Sequence, residues 1–394
     1  MAPSGPAIVR QVSLRAAMEV LLHGGPVSRA EIARRTGLSK QTVSEVVRRL
    51  EAAGWVRPLG PARGGIGRAA LAYAIEPEAG FVAGVDLGGT RLRAAIANLS
   101  GAVRAEAEEA TDRRGGGHVL RQIGALTGRL VARAGIARAR LLTAVVGTPG
   151  VVDPVGGTIR MAPNIPGLDR LDVPAGLRDA LAMPVTVEND VNVAALGEHW
   201  QGAGQGSGHM AFIALGTGIG LGLIADGRLL RGARGGAGEI AWLPLGGDPF
   251  DPAARRGGAL EGAVGAAGLL RRYPQAGDVK ALFDAAAAGR AEAEAVVADT
   301  ARLLTLAVLS VAALLEPELV VLGGSVGMRP ELVAAVQARL PACLPEPPPV
   351  RASALGTRAG VVGALALGLN QVINQLFGTG DLPRDLTLPA QVAA

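Results

Sequence analysis

The amino-acid sequence predicts an α/β protein that carries a small helical module at its N-terminus. Between residues 13 and 53, three short stretches show apolar residues at helical spacing, and capping residues bound them. From Phe81 onward, short apolar strand-like stretches alternate with helical ones, which is typical of α/β folds. The length of 394 residues, 49% of them hydrophobic, allows two or three domains with large cores.

The positive charge of the chain is concentrated in its first fifth. Residues 1–75 hold 11 Lys and Arg against 4 Asp and Glu, whereas the remaining residues hold 28 against 30. This asymmetry indicates either a polyanionic partner for the N-terminal segment or a solvated basic face, and charge alone does not choose between them. The single cysteine, Cys343, excludes an internal disulfide and a multi-cysteine metal site, and it fits a reducing compartment.

No stretch of the sequence has the character of a signal peptide or a membrane span. Arg10, Arg15 and Glu19 interrupt the apolar region that a signal peptide requires. The longest apolar run, residues 303–315, is too short for a bilayer and predicts a buried helix. We therefore expect a cytoplasmic protein without membrane contact.

The N-terminal module is predicted to contain three helices. The first covers residues 13–23 and ends at "HGGPVS". The second has Ser28 as N-cap, Glu31 three residues later in a capping box, and Gly37 at its end. Ser39 begins the third helix. Three short helices joined this tightly predict a helix-turn-helix.

The third predicted helix has one apolar and one polar face. The apolar stripe consists of Val43, Val46, Val47 and Leu50. The outward residues have the length and the hydrogen-bond donors to reach bases and phosphates, as a recognition helix must. The residues predicted to contact DNA on this helix are Lys40, Gln41, Thr42, Ser44, Arg48 and Arg49.

The segment after the third helix, "WVRPLGPARGGIGRAALAYAI", predicts a β-hairpin wing. Arg63 and Arg68 at its tip are placed for a minor groove or for phosphates. The alternative is a three-helix packing module with a charged surface. The order of capping box, turn glycine, basic helix and arginine-bearing wing favours DNA binding. Residues 76–80, "EPEAG", form the predicted linker.

Two glycine-rich turns in the body, "DLGGT" (86–90) and "LGTGIGLG" (215–222), are of the kind that binds phosphates. Glycines let a backbone approach a ligand, although such turns also arise for steric reasons alone. The sequence has no Walker A loop and no G-x-G-x-x-G dinucleotide pattern. The "GGSVG" at 323–327 matches a hydrolase nucleophile elbow, but the last histidine, His209, precedes it, and this chain order excludes the hydrolase.

The stretch "VTVENDVNVAALGEHW" (185–200) places Asn189 and Asp190 where an apolar strand runs into a helix. An Asp at such a strand end can accept a proton from a substrate hydroxyl. Asn and Asp are also favoured helix caps, so a purely structural role stays open at this point.

Taken in sequence order, these motifs resemble the ROK family of repressors, open reading frames and kinases, in its winged-helix repressor branch. The resemblance covers nearly the whole chain. Beside the helix-turn-helix and the motifs above, it includes "GTPGVVD" (147–153), "PNIPGL" (163–168), "LGTGIGLGLIADGRLLRGARGGAGEI" (215–240) and "LGGSVG" (322–327). It implies two α/β lobes of the actin/hexokinase type, with a sugar in the cleft and, in the kinases, ATP phosphates against the glycine turns.

The resemblance also assigns residues to these roles. The implied sugar ligands are Gly150, Asn164, Asn189, Asp190, Glu239 and Glu261, and Asp190 is the catalytic base where kinase activity persists. The implied phosphate-binding residues are Asp86, Gly88, Gly89, Thr90, Gly216, Thr217 and Gly218. The predicted domains are a DNA-binding head (1–78), an N-terminal lobe (79–196) completed by a helix near 361–377, a C-terminal lobe with the dimer interface (197–360) and a loose tail (378–394).

The sequence departs from the family at its zinc site. ROK proteins usually carry a histidine after GEIG and then C-x-C-x-x-x-x-C-x-E. The corresponding positions here hold Trp242, Pro252, Ala254 and Ala259, so we expect no zinc and no other cofactor. Trp242 is a candidate for stacking on a sugar, and an alternative is an aromatic and proline plug of Trp242, Pro249, Phe250 and Pro252 in place of the metal.

Two further departures favour loss of catalysis. Leu221 stands at a position that is often glycine in the kinases, where it would hinder ATP, and Ser325 interrupts the later glycine run. We therefore expect a sugar-responsive repressor that binds an operator in double-stranded DNA as a homodimer or a dimer of dimers. An ATP-dependent sugar kinase that retains a DNA-binding head is the alternative, and a body that only dimerises the head is a third possibility.

Overall fold

The computed structural model describes residues 5–61, 71–162 and 164–377. These residues form two compact units. Unit 1 contains residues 5–61, 71–146, 164–187 and 364–377, and unit 2 contains residues 147–162 and 188–363. The domain boundaries that the sequence predicts at residues 78, 196 and 360 stay predictions, and the tail 378–394 lies outside the described residues.

The N-terminal module is a winged helix-turn-helix. Its helices are α1 (Gly5–Gly24), α2 (Arg29–Thr36) and α3 (Lys40–Ala52), and its strands are β1 (Val27–Ser28), β2 (Val56–Pro61) and β3 (Leu71–Ile75). The strands form an antiparallel sheet in the order β1-β3-β2. The first helix begins at Gly5, eight residues before the start that the sequence predicts at residue 13. The wing arginines Arg63 and Arg68 lie outside the described residues.

The predicted helix caps of this module are confirmed. Ser28 Oγ accepts the backbone N–H of Glu31 at 3.2 Å, and Gly37 closes α2 in the left-handed region at φ 71°. Ser39 Oγ accepts the N–H of Thr42 at 3.1 Å. These caps fix where α2 ends and α3 begins, and therefore which residues α3 exposes.

The four apolar residues of α3 are buried in the core of the module, as predicted. This core also includes Tyr73 from β3 and Ile373 from the last helix of the chain. The predicted linker is ordered: Pro77–Ala79 form a single 3₁₀ turn, and the Glu78 carboxylate accepts a hydrogen bond from Asn98 Nδ2 at 2.8 Å.

The body alternates strands and helices, as predicted. Its strands are β4 (Phe81–Leu87), β5 (Arg91–Asn98), β6 (Val103–Ala110), β7 (Leu141–Thr148), β8 (Val151–Val152), β9 (Ile159–Arg160), β10 (Val185–Asn189), β11 (Met210–Leu215), β12 (Ile219–Ala225), β13 (Arg228–Leu229), β14 (Leu319–Gly323) and β15 (Val350–Ala352). Its helices are α4 (Gly116–Arg133), α5 (Val173–Leu181), α6 (Asp190–Gln201), α7 (Pro252–Gly257), α8 (Ala259–Val264), α9 (Ala266–Arg272), α10 (Val279–Ala287), α11 (Ala291–Leu315), α12 (Gly324–Gly327), α13 (Pro330–Arg339) and α14 (Ala359–Phe377).

The described strands of the body form two mixed five-stranded sheets and one small hairpin. The first sheet has the order β10-β7-β4-β5-β6, in which β4, β5 and β6 form an antiparallel meander. The second sheet has the order β13-β12-β11-β14-β15, in which β11 pairs antiparallel with β12 and parallel with β14. Strands β8 and β9 form the hairpin. In the first sheet, the inner strands β4 and β7 are buried on both faces, whereas the edge strand β6 has several exposed residues.

Two described helices are long and apolar enough to cross a membrane. They are α11 and the segment Gly356–Leu376, which contains most of α14. Packing within the protein buries 50% of the apolar window of α11 and 78% of the other. The helix predicted at 303–315 is part of α11, and its inward face includes Leu303, Leu304, Ala307 and Val308. The prediction of burial is wrong for the end of this range, where Leu314 is 80% exposed. The packing of these helices identifies them as core helices of the protein.

Candidate functional site

The outer face of α3 presents polar side chains to solvent. Lys40, Gln41, Arg48 and Arg49 are exposed, and Thr42 and Ser44 are half-buried. The side chains opposite them pack into the module's core, so the polar face is fixed in direction by burial of the apolar one. The residues that the sequence singles out for DNA contact on this helix therefore share one accessible face.

A carboxylate on the same face binds two of the predicted DNA-contacting arginines. Glu45 accepts a hydrogen bond from Arg48 Nη2 at 2.7 Å and one from Arg49 Nε at 2.6 Å. These two guanidinium groups hold the pKa of Glu45 below its ordinary value. Phosphate contact by Arg48 or Arg49 therefore requires exchange of an internal ion pair for one with DNA.

The junction of β10 and α6 carries Asn189 and Asp190 in unit 2. Asn189 is the N-cap of α6, and its Oδ1 accepts the N–H groups of Val191 at 2.9 Å and Asn192 at 3.0 Å. Its Nδ2 donates to the carbonyl of Gly150 at 3.0 Å. Asn189 therefore caps α6, which is the structural role that the sequence left open. A sugar contact by Asn189 stays a prediction.

Gly150 lies where only glycine fits. Its φ is +97°, and an added methyl group would lie 2.7 Å from the carbonyl oxygen of Arg160. The carbonyl of Gly150 is thereby held against the Asn189 amide, which orients the start of α6.

Burial raises the pKa of three carboxyl groups in unit 2, and two of them raise the pKa of the third. Burial raises the pKa of Asp190 to about 6, against the opposing effect of hydrogen bonds from its own N–H and that of Val191. Burial raises the pKa of Glu239, and the charges of Asp190 and Glu261 raise it further. Burial also raises the pKa of Glu261, which a hydrogen bond from Ile219 partly offsets. The three predicted sugar-binding acids are therefore electrostatic neighbours, which favours ligands that donate hydrogen bonds.

The second glycine turn lies against Glu261. The N–H of Ile219 donates to Glu261 Oε2 at 3.1 Å, and the N–H of Gly216 donates to the carbonyl of Gly218 at 2.9 Å. A methyl group added at Gly218 would lie 2.2 Å from Glu261 Oε2, so only glycine allows this close approach. Thr217 is exposed at the tip of the turn.

Sequence reasoning missed two residues that support this site. Glu188, buried at the end of β10, accepts the N–H of Asn189 at 3.0 Å and forms an ion pair with Arg231. Arg231 lies in the segment that leads to Glu239. Glu188 stands in the quoted "ENDVNV" stretch, but no local pattern indicates Arg231 as its partner.

A cavity of about 490 Å³ opens beside Glu261. Small residues form most of its wall, and its polar lining residues are Thr217, Asp248, Asp251, Glu261 and Arg271. Its size is within the range of small-molecule sites.

Two of the four positions of the family's zinc ligands, Ala254 and Ala259, line this cavity, and none of the four fits a metal. Pro252, Ala254, Ala259 and Trp242 offer no nitrogen or sulfur ligand. No group of three or more His, Cys, Asp and Glu is arranged for a metal within the part of the chain that the structure describes. The expectation of an aromatic plug is wrong for Phe250, which is 86% exposed, and Trp242 is 37% exposed at the end of a 3₁₀ turn.

The first glycine turn belongs to unit 1. The N–H of Gly88 donates to the carbonyl of Arg91 at 2.9 Å, which closes the hairpin between β4 and β5. Asp86 is half-buried and lies 3.7 Å from Arg93 Nη1. Thr90 is exposed. A phosphate-binding role for this turn stays a prediction.

Asn164 lies beside this first turn. A methyl group added at Gly89 would be 3.2 Å from the Asn164 side chain and backbone. Asn164 is thus part of unit 1, whereas Gly150, Asn189, Asp190, Glu239, Trp242 and Glu261 belong to unit 2.

Leu221 and Ser325, the two residues that depart from the kinase pattern at the glycine turns, differ in their exposure. Leu221 is 5% exposed and packs in the core of unit 2, so its side chain does not lie in a phosphate path and that argument is wrong. Ser325 is exposed, and its Oγ lies 3.3 Å from the position of a methyl group added at Gly216. Ser325 therefore adjoins the second glycine turn.

Comparison with known proteins assigns both parts of the chain. Residues 82–371 match the ROK family, and residues 12–65 match the MarR family. A ROK hexokinase from Thermus thermophilus is similar in structure, with a TM-score of 0.65 and 34% identity, over 74% of this chain and 99% of the hexokinase. A ROK family transcriptional regulator, a homologue of the Escherichia coli MLC protein, has a TM-score of 0.75 over 96% of this chain and 99% of its own.

The likeness to that regulator, at 21% identity, shows a shared fold. The xylose repressor of Caldicellulosiruptor bescii is 26% identical over 226 residues, which are 57% of this chain and 56% of the repressor. The alignments with such curated relatives thus span about half of each relative's length. The predicted fold class, a winged helix-turn-helix followed by an α/β body of the actin/hexokinase type, is confirmed.

Proposed function

Because the chain belongs to the ROK family and carries a MarR-type winged helix-turn-helix, we propose that it is a sugar-responsive transcriptional repressor of carbohydrate metabolism genes. The observation that carries this proposal is the accessible polar face of α3, where Lys40, Gln41, Arg48 and Arg49 stand exposed on a buried apolar stripe. Such a face is suited to the major groove of an operator.

The body of the protein has the chemistry of a sugar site. A sugar offers hydroxyl groups whose hydrogen bonds must be satisfied when they are buried, and carboxylates accept such bonds in pairs. Asp190, Glu239 and Glu261 supply these acceptors. The similarity to xylose repressors supports a sugar effector, and the absence of zinc ligands supports a site that works without metal.

The effector acts through differential affinity. A sugar shifts the balance between a DNA-binding and a non-binding conformation only as far as it binds one of them more tightly. A homodimer or a dimer of dimers that reads a palindromic operator makes this shift effective, because the spacing of two heads decides whether both reach their half-sites. The proposed place of action is the cytoplasm.

The test begins with selection of bound duplexes from a random DNA pool by the purified full-length protein. We expect one palindromic sequence to be enriched and its mobility shift to respond to at least one sugar of a panel that includes xylose and glucose. A Gln41→Ala variant should lose the sequence preference, whereas Arg302→Ala, on the outer face of α11, should keep it. No preference for any duplex over random DNA, with or without sugars, would overturn the proposal.

A sugar kinase is the second candidate, and Asp190 is the observation that favours it. Its raised pKa, about 6, suits a group that accepts a proton from a sugar hydroxyl near neutral pH. The glycine turns at 86–90 and 216–218 would then hold ATP.

A coupled assay with ATP, Mg²⁺ and the same sugar panel separates the two candidates. Turnover that Asp190→Asn abolishes would make the protein an enzyme. Sugar-dependent mobility shifts without turnover support the repressor. A body that only dimerises the head predicts no heat of binding with any sugar in calorimetry.

A further inference from the structure

The cavity beside Glu261 is lined by more negative than positive groups. Asp248, Asp251 and Glu261 contribute carboxylates, and Arg271 is the one cation among the described residues of its wall. Arg271 Nη2 already donates to the carbonyl of Gly262 at 2.6 Å. The wall therefore has an excess of negative charge where a ligand would lie.

Two of the backbone N–H groups at the second glycine turn, those of Gly216 and Ile219, are already used by the protein. A glycine turn binds phosphate through N–H groups that point at the ligand. In the turn at 216–218, the N–H of Ile219 donates to the Glu261 carboxylate at 3.1 Å, and that of Gly216 donates to the carbonyl of Gly218. A phosphate that approached this turn would meet the carboxylate of Glu261, which lies directly against Gly218.

The carboxylates continue beyond the cavity. Glu261 interacts electrostatically with Glu239, which in turn interacts with Asp190. A neutral sugar gains hydrogen bonds from such acceptors, whereas a phosphate ester brings two negative charges towards them.

We propose that the effector of this protein is an uncharged, unphosphorylated sugar, and that the carboxylates of Asp248, Asp251 and Glu261 select against the corresponding phosphate ester. This inference rests on the proposed sugar-responsive function and adds the chemical class of the ligand. Asp248 and Asp251 are exposed and Glu261 is half-buried, so solvent screens part of the repulsion, which at low ionic strength weakens the ester's binding by about ten-fold.

The experiment is calorimetry of the full-length protein with matched pairs of probes: glucose with glucose 6-phosphate, and N-acetylglucosamine with its 6-phosphate, together with xylose. For a sugar that binds, we expect the dissociation constant of its phosphate ester to be about ten-fold higher at low ionic strength. The ratio of the two constants is the readout, because it cancels changes that affect both ligands equally.

The charge-neutral variant Asp248→Asn with Asp251→Asn tests the cause. Asparagine keeps the oxygen that accepts the N–H of Phe250 at 2.9 Å and that of Ala253 at 2.6 Å, and it is as good a helix N-cap as aspartate. We expect the ratio to fall several-fold in this variant, and a melting temperature close to that of the parent shows that it is folded.

The outcomes separate the two proposals. A phosphate ester that binds as tightly as its parent sugar, or a ratio that does not change in the variant, overturns the inference while the sugar-responsive function stands. Absence of binding by every free sugar and every ester overturns the sugar-responsive function itself.

Discussion

Arg231 Nε lies 2.6 Å from Glu188 Oε2 in unit 2 and forms an ion pair between two segments that carry predicted sugar ligands. The Glu188 side chain is 6% exposed and the Arg231 side chain 34% exposed. Glu188 also accepts the N–H of Asn189 and the side-chain amide of Asn192, each at 3.0 Å. The pair therefore ties the start of α6 to the segment that leads to Glu239.

Replacement of Arg231 by alanine should leave the buried Glu188 carboxylate without its cation. Because Arg231 is one-third exposed, solvent offsets part of the loss, and we expect a cost of about 1–3 kcal/mol of unfolding free energy. A shift of Asn189 and Glu239 should also weaken sugar binding. We expect a lower melting temperature and a higher dissociation constant for the sugar, measured by calorimetry.

Two further variants show whether Arg231 positions the site or only stabilises the fold. Arg231→Lys should restore part of the sugar affinity because it keeps the charge. Arg272→Ala removes a different pair, Arg272 with Asp299 at 2.9 Å, in the same unit, and should leave sugar affinity unchanged. Equal loss of affinity in Arg272→Ala would count against a positioning role.

Asp190→Asn should make the protein more stable at neutral pH. Because the folded-state pKa of Asp190 is raised from 3.8 to about 6, ionisation of this group costs stability as pH rises through this window. The cost is absent below about pH 4 and complete above about pH 6, where it amounts to about 3 kcal/mol. Denaturation between pH 4 and pH 8 should show the gain of the variant only at the upper end.

Asp112→Asn is the control, for which we expect the opposite change in stability at neutral pH. The Arg114 guanidinium holds the pKa of Asp112 below its ordinary value, so this carboxylate stabilises the fold when ionised. Its replacement should lower stability at neutral pH and lose that effect in acid. A gain from Asp190→Asn that is the same at pH 4 and pH 8 would contradict the titration of Asp190.

Glu45→Gln should increase affinity for any duplex. Glu45 holds Arg48 and Arg49 in ion pairs at 2.7 and 2.6 Å, and removal of its charge frees two guanidinium groups for phosphates. Each phosphate contact adds about 0.9 to the slope of log affinity against log salt. Arg49 should add one contact to the one that Arg48 makes in the parent, so the slope should become steeper by about one. Fluorescence anisotropy at several salt concentrations measures it.

Arg48→Ala should change the slope in the other direction, by about one. Arg302→Ala is the matched control, because Arg302 is an exposed arginine paired with Asp299 at 2.8 Å outside the DNA-binding head. A slope that stays constant in Glu45→Gln and in Arg48→Ala would mean that these arginines do not touch phosphates.

Local features of the fold were predictable because they depend on neighbouring residues. The caps at Ser28, Gly37 and Ser39 each satisfy backbone groups within a few positions, and so does Asn189. The Glu45 pairs, three and four residues from their arginines, follow from helical spacing and could have been found in the same way.

Features that join distant parts of the chain were not predictable from one sequence. No pattern relates Arg231 to Glu188, since only the folded chain brings their segments together. The exposure of Phe250 and the burial of Leu221 depend on which way their segments turn, and composition does not determine this. The contact of the last helix with the core of the head was also not predictable, because it joins the two ends of the chain.

The last helix of the chain contributes Ile373 to the core of the winged helix-turn-helix. Ile373 is 5% exposed and packs in the cluster that contains Val43, Val47 and Leu50 of α3. Ile373→Ala removes methyl and methylene groups from this core, which costs about 2–4 kcal/mol. Amides of α2 and α3 should therefore exchange hydrogen about 30- to 1,000-fold faster when exchange is limited by opening of the head. Leu376→Ala lies on the same helix at a site that is 38% exposed, and it should leave the exchange of these amides unchanged. Equal exchange rates in the parent and in Ile373→Ala would show that the stability of the head does not depend on α14.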